Sequence, residues 1–261
     1  MSGQNLLGEF LKARRGRVTA DQAGVRSLGR RRVPGLRREE LARLAGISQH
    51  YLTRLEQGKD RNPSTQVLRA LATALRLDRN ETAHLYALAA PSQAVEGHRE
   101  VGEDVQQLID SWGTTPAYVR NRGFDVLAAN KLAMALSPMY TPGRNLVRDV
   151  FLDKDVRGLL PDWQEIAGQT AAALRAEGDL RDPATVGLIS SMLVDGDFRR
   201  LWENHDVRPV RNEVKRFVHP LVGPLTLRRH ALSIAGAEEH TIVTYQAEPG
   251  SPSADALNSL C

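Results

Sequence analysis

Leu7, Phe10 and Leu11 lie three and four positions apart, the spacing of one helix face, and predict a first helix over residues 6–15. Gly16 and an arginine-rich polar stretch ending at Pro34-Gly35 interrupt the pattern. Leu41, Leu44 and Ala45 then resume the helical period, and Gly46 lets the backbone turn sharply behind them. Ser48 is a good cap for a third helix that turns Tyr51, Leu52 and Leu55 inward and closes at Gly58. Pro63-Ser64 opens a fourth, with Val67, Leu68, Leu71, Ala72 and Leu75 as its apolar positions. A short helix over residues 84–89 completes a five-helix unit. Residues 91–97 contain few large apolar side chains and read as a linker, dividing the chain into domains 1–94 and 95–261.

The second segment has a different pattern. A helix over residues 104–112 precedes two strand-like pieces, 117–120 and 124–128, separated by Asn121-Arg122-Gly123 and therefore read as a hairpin. Helical spacing returns at 130–136, 162–177, 183–195 and 197–203. The tail alternates as strands do over 213–219, 224–234 and 240–247, with a turn predicted at 236–239. Helices set between a front hairpin and a back set of antiparallel strands predict an α+β domain built on one sheet.

Charge sharpens this division. Residues 1–90 hold 17 Lys and Arg against 8 Asp and Glu, whereas residues 91–261 hold 18 against 23. A basic small domain joined to a mildly acidic larger one suits a phosphate-binding head and a separate effector body, although basic helices that simply solvate a surface have the same composition. The sole cysteine, Cys261, excludes an intrachain disulfide within this sequence and any cysteine-cluster metal site, and the seven histidines form no HExxH pairing. The first residues lack the apolar block of a secretory signal and no run of eighteen apolar residues occurs, so a cytoplasmic protein without membrane contact is expected.

Two short helices joined through Gly46 match the arrangement in which one helix braces on the DNA backbone and the next enters the major groove. Gln49, His50, Thr53 and Arg54 fall on the outer face of the second, where glutamine suits adenine and arginine suits guanine. Arg38, Arg43, Ser48, Lys59 and Arg61 are candidate phosphate contacts around that helix, and Arg30, Arg31 and Arg32 form a basic arm. Spacing alone leaves a solvated helical hairpin equally open.

The phrase RRVPGLRREELARLAGIS resembles the Xre-family (Cro/C1-type) helix-turn-helix as found in MmyB-like regulators. The resemblance implies that Arg38 meets phosphate at the start of the bracing helix, that Ser48 caps the recognition helix, and that Gln49, His50 and Arg54 face bases. It also makes Glu56-Gln57-Gly58 the helix exit. PAYVRNRGFDVLAAN, GDFRRLWENHDV, KRFVHPLVGPLTL and IVTYQAEPGSPSADAL are similar, as a set, to the MmyB-like ligand-binding domain. That similarity implies a PAS-like fold that accommodates a fatty acid or related hydrophobic molecule.

A lipid pocket needs apolar walls and a polar group near one end. Tyr118, Phe124, Leu127, Met134, Leu188, Met192 and Trp202 are candidate walls, each equally suited to an ordinary core, and Asn130, Arg148 and His205 are candidate partners for a polar head. Ser111, His205 and Asp206 suggest a hydrolase on paper, yet no GxSxG elbow, GxGxxG or GxxxxGK loop accompanies them, so no enzymatic activity and no cofactor are expected. The expected partners are a double-stranded DNA operator, a hydrophobic small molecule and a second copy of the chain, since symmetric dimers commonly read operators. A second domain serving only dimerisation or protein interaction remains the alternative.

Overall fold

The computed structural model describes residues 5–25, 35–60, 62–90, 101–208 and 213–260. The arm residues Arg30, Arg31 and Arg32, the phosphate candidate Arg61 and the linker 91–97 lie outside the described residues. The chain divides into two compact units, Met1–Gln93 and Ala94–Cys261.

The first unit is helical throughout its regular elements: α1 (Leu6–Arg17), α2 (Arg38–Leu44), α3 (Gln49–Glu56), α4 (Thr65–Ala74) and α5 (Arg79–Ala89). Leu7, Phe10, Leu11, Leu41, Leu52, Leu55, Leu68, Leu71 and Leu85 form its core. Tyr51 and Val67, expected inside, are half-buried. Gly46 adopts φ +65 behind α2, and the Ile47 amide donates to the Ala42 carbonyl at 3.0 Å. This is the Schellman closure, which needs the left-handed residue that glycine supplies at least cost. The Ser48 hydroxyl accepts from the Tyr51 amide at 3.1 Å and starts α3. The fifth helix begins five residues earlier than periodicity suggested. Asp78 accepts from the Asn80 and Glu81 amides while Glu81 accepts from the Asp78 amide, a reciprocal cap that anchors a polar first turn.

The second unit begins with α6 (Glu103–Asp110), followed by β1 (Ala117–Arg120), β2 (Val126–Ala129), α7 (Lys131–Leu136) and a 3-10 turn (Pro138–Tyr140). Helices α8 (Leu146–Leu152), α9 (Lys154–Leu159), α10 (Trp163–Glu177), α11 (Pro183–Met192) and α12 (Gly196–Glu203) come next. The chain then runs through β3 (Glu213–His219), β4 (Gly223–Ile234), β5 (Ala237–Ala247) and α13 (Pro252–Asn258). All five strands join one antiparallel sheet in the order β2-β1-β5-β4-β3.

Alternation gives the sheet two distinct faces. Ala117, Val119, Ala128 and Ile242 pack with Ile109 of α6 on one side, with Val101, Val105 and Trp112 against them. The register Tyr118↔Val243, Tyr245↔Arg229, Leu227↔Lys215 and Leu225↔Phe217 puts those residues on the opposite face.

Several sequence expectations shift. Helices α8, α9 and α13 and the 3-10 turn are too short to show a period; they start instead at the side-chain caps of Asn145, Asp153, Ser251 and Ser137. Helix α11 ends at Met192 rather than 195 because Asp195 caps α12, accepting from the Phe198 amide at 2.8 Å. The strand expected from Phe124 starts at Val126, since Phe124 sits at φ +67 outside extended geometry. Strand β5 begins at Ala237, paired with Ile234, so the turn closes through Ala235-Gly236 with Gly236 at φ +81.

Asn130 joins three elements of this unit. Its amide oxygen accepts from the Ala117 and Ala133 amides at 3.1 and 2.9 Å, and its nitrogen donates to the Ile109 and Thr115 carbonyls at 3.0 and 2.8 Å. Asn130→Ala leaves these buried groups unpaired and is expected to destabilise the protein by about 1–3 kcal/mol or more, because lost partners carry a desolvation cost. Urea unfolding checks this; an unchanged midpoint would contradict the assignment.

Candidate functional site

In the first unit the organising group is a carboxylate. Glu56, the last residue of α3, is completely buried. Arg15 of α1 donates from Nε to its Oε1 at 2.7 Å, and Arg38 at the start of α2 donates from Nε to its Oε2 at 2.5 Å. Asn5 donates to the Glu56 carbonyl at 2.8 Å, and a Cβ on Gly8 would lie 2.5 Å from that same oxygen, so α1 approaches α3 as closely as only glycine permits. Helices α1 and α2 are therefore locked to the end of α3, and the outer face of α3 is fixed by them.

On that face Gln49 and His50 are exposed and Thr53 and Arg54 half-buried. Thr53 Oγ1 donates to the Gln49 carbonyl at 2.8 Å. Arg54 donates from Nε to Asp60 Oδ2 at 2.6 Å, across the turn at Gly58. This pairing raises the guanidinium pKa further and holds the Asp60 carboxyl below the usual carboxylate range, with His50 adding to the latter. Asp60 is a residue that sequence reasoning missed; an acid just past the helix exit, six positions from an outward arginine, is the signal for it. Arg43 and Lys59 are exposed, while Arg38 combines its Glu56 contact with a side chain that is 46% exposed.

In the second unit a cavity of about 730 Å³, counting its open mouth, lies against the Tyr118 face of the sheet. Phe124, Met139, Leu146, Val150 and Ile166 give it apolar walls. Tyr118, Tyr140 and Tyr245 supply hydroxyls, and Arg120, Arg208, Lys215 and Arg229 face it beside Glu213, the single lining carboxylate among the described residues, with Gln169 and Thr170 also in the lining.

The tyrosines form one buried cluster. Tyr118 stacks on Tyr140 with ring centroids 4.5 Å apart, and the Tyr140 hydroxyl donates to that of Tyr245 at 2.8 Å. Tyr118 interacts electrostatically with both Tyr245 and Arg229. Burial raises the pKa of Tyr140 and Tyr245 well beyond the ordinary phenol value, and neighbouring hydroxyls add to it against the opposing charge of Arg229. Arg120, almost fully buried, pairs with Glu177 and lies 4.1 Å over the Phe124 ring.

Of the ten ligand candidates named from sequence, Tyr118 and Phe124 line this cavity. The others do not. Asn130 is the internal hydrogen-bond hub described above. Leu188 and Met192 are buried in α11, and Met134 and Leu127 are half-buried on α7 and β2. Trp202 stacks on Phe198 at 5.6 Å beneath the Arg175 guanidinium, Arg148 is exposed on α8, and His205 sits at φ +51 behind α12.

The family model for the MmyB-like transcription regulator ligand binding domain matches residues 101–260. The chain belongs to the MmyB-like transcription regulator family. A model for a helix-turn-helix domain matches residues 6–85, from α1 into α5. This MmyB-like regulator is thus a DNA-binding helix-turn-helix protein with a ligand-binding domain for a small molecule. Comparison with curated proteins finds no match. Among the described residues no helix is long and apolar enough to cross a membrane.

The raised phenol pKa values fix a pH dependence. The folded protein keeps the Tyr140 and Tyr245 protons where an unfolded chain releases them, near pH 10, so this contribution to stability is complete below about pH 10 and falls away above it. Ultraviolet titration should find at least two of the five tyrosines protonated until alkaline unfolding. Ionisation of all five in the native state would contradict the cluster.

Proposed function

We propose that this regulator reads a specific operator as a homodimer and that its second domain senses a hydrophobic small molecule of the fatty-acid type in the tyrosine-lined cavity. Gln49, His50, Thr53 and Arg54 are the proposed base readers, with Arg38, Arg43, Ser48, Lys59 and Arg61 as proposed phosphate contacts and Arg30, Arg31 and Arg32 as a proposed basic arm. The observation that carries the sensor role is the cavity itself, whose apolar side chains and cations face the same space with one acid among them. A five-stranded sheet ordered β2-β1-β5-β4-β3, with helices between its second and third strands, supports a PAS-like domain rather than a simple dimerisation module. No catalytic step is proposed.

Asp60 fits the base-reading role of Arg54. An arginine fixed by a carboxylate loses less side-chain freedom on meeting a base, although the acid also opposes approach of phosphate. Regulation requires the ligand to prefer one of two DNA-binding states of the dimer.

Fluorescence anisotropy with a selected operator and a random duplex tests the DNA face. Arg54→Ala should lower discrimination between them by about tenfold or more. Arg43→Ala should weaken both alike and reduce the salt slope by about one. The reverse pattern would mean that the two residues exchange roles, and a monomer on the operator by sedimentation would exclude the dimer. Native mass spectrometry before and after organic extraction tests the sensor: a stoichiometric increment released as a hydrophobic compound supports it, and saturation by no such compound in subsequent titrations overturns it.

A further inference from the structure

The strand register makes the cavity a diagonal trough. Arg120 on β1 stands opposite Thr241 of β5, whereas Lys215 on β3 stands opposite Leu227 of β4, which faces Ala247. Both cations line the same cavity, yet they lie three strands apart, roughly 14 Å, and are offset by the six positions from Thr241 to Ala247 along β5. Tyr118, Tyr245 and Arg229 fall between them along that diagonal. An occupant that fills such a space is elongated, with chemically different ends.

The two ends differ in what their charges already do. Arg120 pairs with Glu177, donates to the Asn121 carbonyl at 3.1 Å and is covered by the Phe124 ring. Arg229, between them, is engaged by the Tyr118 hydroxyl. Lys215 is half-buried, and among the described residues its ammonium has no ion pair or hydrogen bond. A desolvated cation in that position is costly unless a ligand supplies the counter-charge.

We propose that Lys215 determines which ligands this cavity accepts: its ammonium receives the acid group of an elongated amphiphile whose chain lies along the apolar wall of Val150 and Ile166, and it takes up a proton as that acid binds. This rests on the ligand-sensing role proposed above, takes from it the fatty-acid type of ligand, and deepens it to the residue that meets the acid group and to a coupling with pH.

The surrounding charges favour that coupling. On its own strand Lys215 has Glu213 and Arg216, and Arg216 is paired with Asp162 at the start of α10. Arg228, Arg229 and His230 lie on β4, the exposed Arg208 lines the same cavity, Glu165 lies on the exposed side of α10, and Lys154, Asp155 and Arg157 lie on α9, where Arg157 covers the Trp163 ring. His219, on the same strand, contacts the Ala135 carbonyl. Burial and Arg229 pull the Lys215 ammonium down to about 7, against the weaker pull of Glu213 and Glu165. The empty site therefore loses its proton above about pH 7, and a bound carboxylate restores it; affinity for an anion falls as pH rises, approaching tenfold per unit.

Isothermal titration of the full-length protein with dodecanoate and with uncharged dodecanol, in buffers of different ionisation enthalpy, reads both parts. Wild type should prefer dodecanoate by about tenfold or more near pH 7 and take up nearly one proton per ligand at about pH 8.5. Lys215→Met should bind both ligands alike without proton uptake. Lys215→Arg should keep the preference but lose the pH dependence, since its guanidinium stays charged; this variant decides the matter if Lys215→Met fails to fold. Equal binding of the two ligands by wild type, or proton uptake persisting in Lys215→Arg, overturns the proposal while leaving the cavity a ligand site. Failure of both ligands to bind overturns the sensing role and this proposal with it.

Discussion

The inner face of a sheet must exclude water, and a face that also carries arginine, lysine and three tyrosines can do so only if those groups find partners. In this regulator the Tyr118, Tyr140, Tyr245 and Arg229 cluster solves most of the problem, with stacked rings covering hydroxyls that bond to one another. The helices α8 and α10 that pack over this face meet it through Val150 and Ile166, leaving a space where the polar residues prevent close packing. Cavity and cluster therefore have one cause. The opposite face, made of Ala117, Val119, Ala128 and Ile242 against α6, is apolar and packs as a core.

The DNA-binding head applies the same rule with one acid. Glu56 is buried and held by Arg15 and Arg38, so the end of the recognition helix is tied to the two helices before it. The residues that hold the motif together are thus separate from those that face outward. Gln49 and His50 are exposed, while Arg54 is held by Asp60 just beyond the helix. A charge-assisted contact that orders a long side chain before binding reduces the entropy lost when the base is met.

How much of this the chain discloses depends on the length of each pattern. Helices α3 and α4, with regular leucines and a serine cap apiece, were legible, as were the long strands β4 and β5. Helices α8 and α9 were not, because six or seven residues started by Asn145 and Asp153 span fewer than two turns. The cavity was missed for a related reason. Bulky apolar residues such as Leu188, Met192 and Trp202 look like walls in the sequence, but they satisfy the packing of α11 and α12. The informative residues were polar ones in inward register: Leu225, Leu227 and Arg229 alternate on β4, as Lys215 and Phe217 do on β3. A charge that keeps step with buried residues marks a site, and only the pairing of strands shows which step is inward.

The proposed regulation joins two binding events in one molecule, and such coupling is reciprocal. The most direct test measures the dissociation constant for operator DNA with ligand-free and ligand-saturated protein, and that for ligand with and without operator. The account predicts the same factor in both comparisons, in the range of roughly 5–150-fold typical of allosteric coupling. Equal DNA affinity in the two ligand states, with both binding events intact, would contradict it.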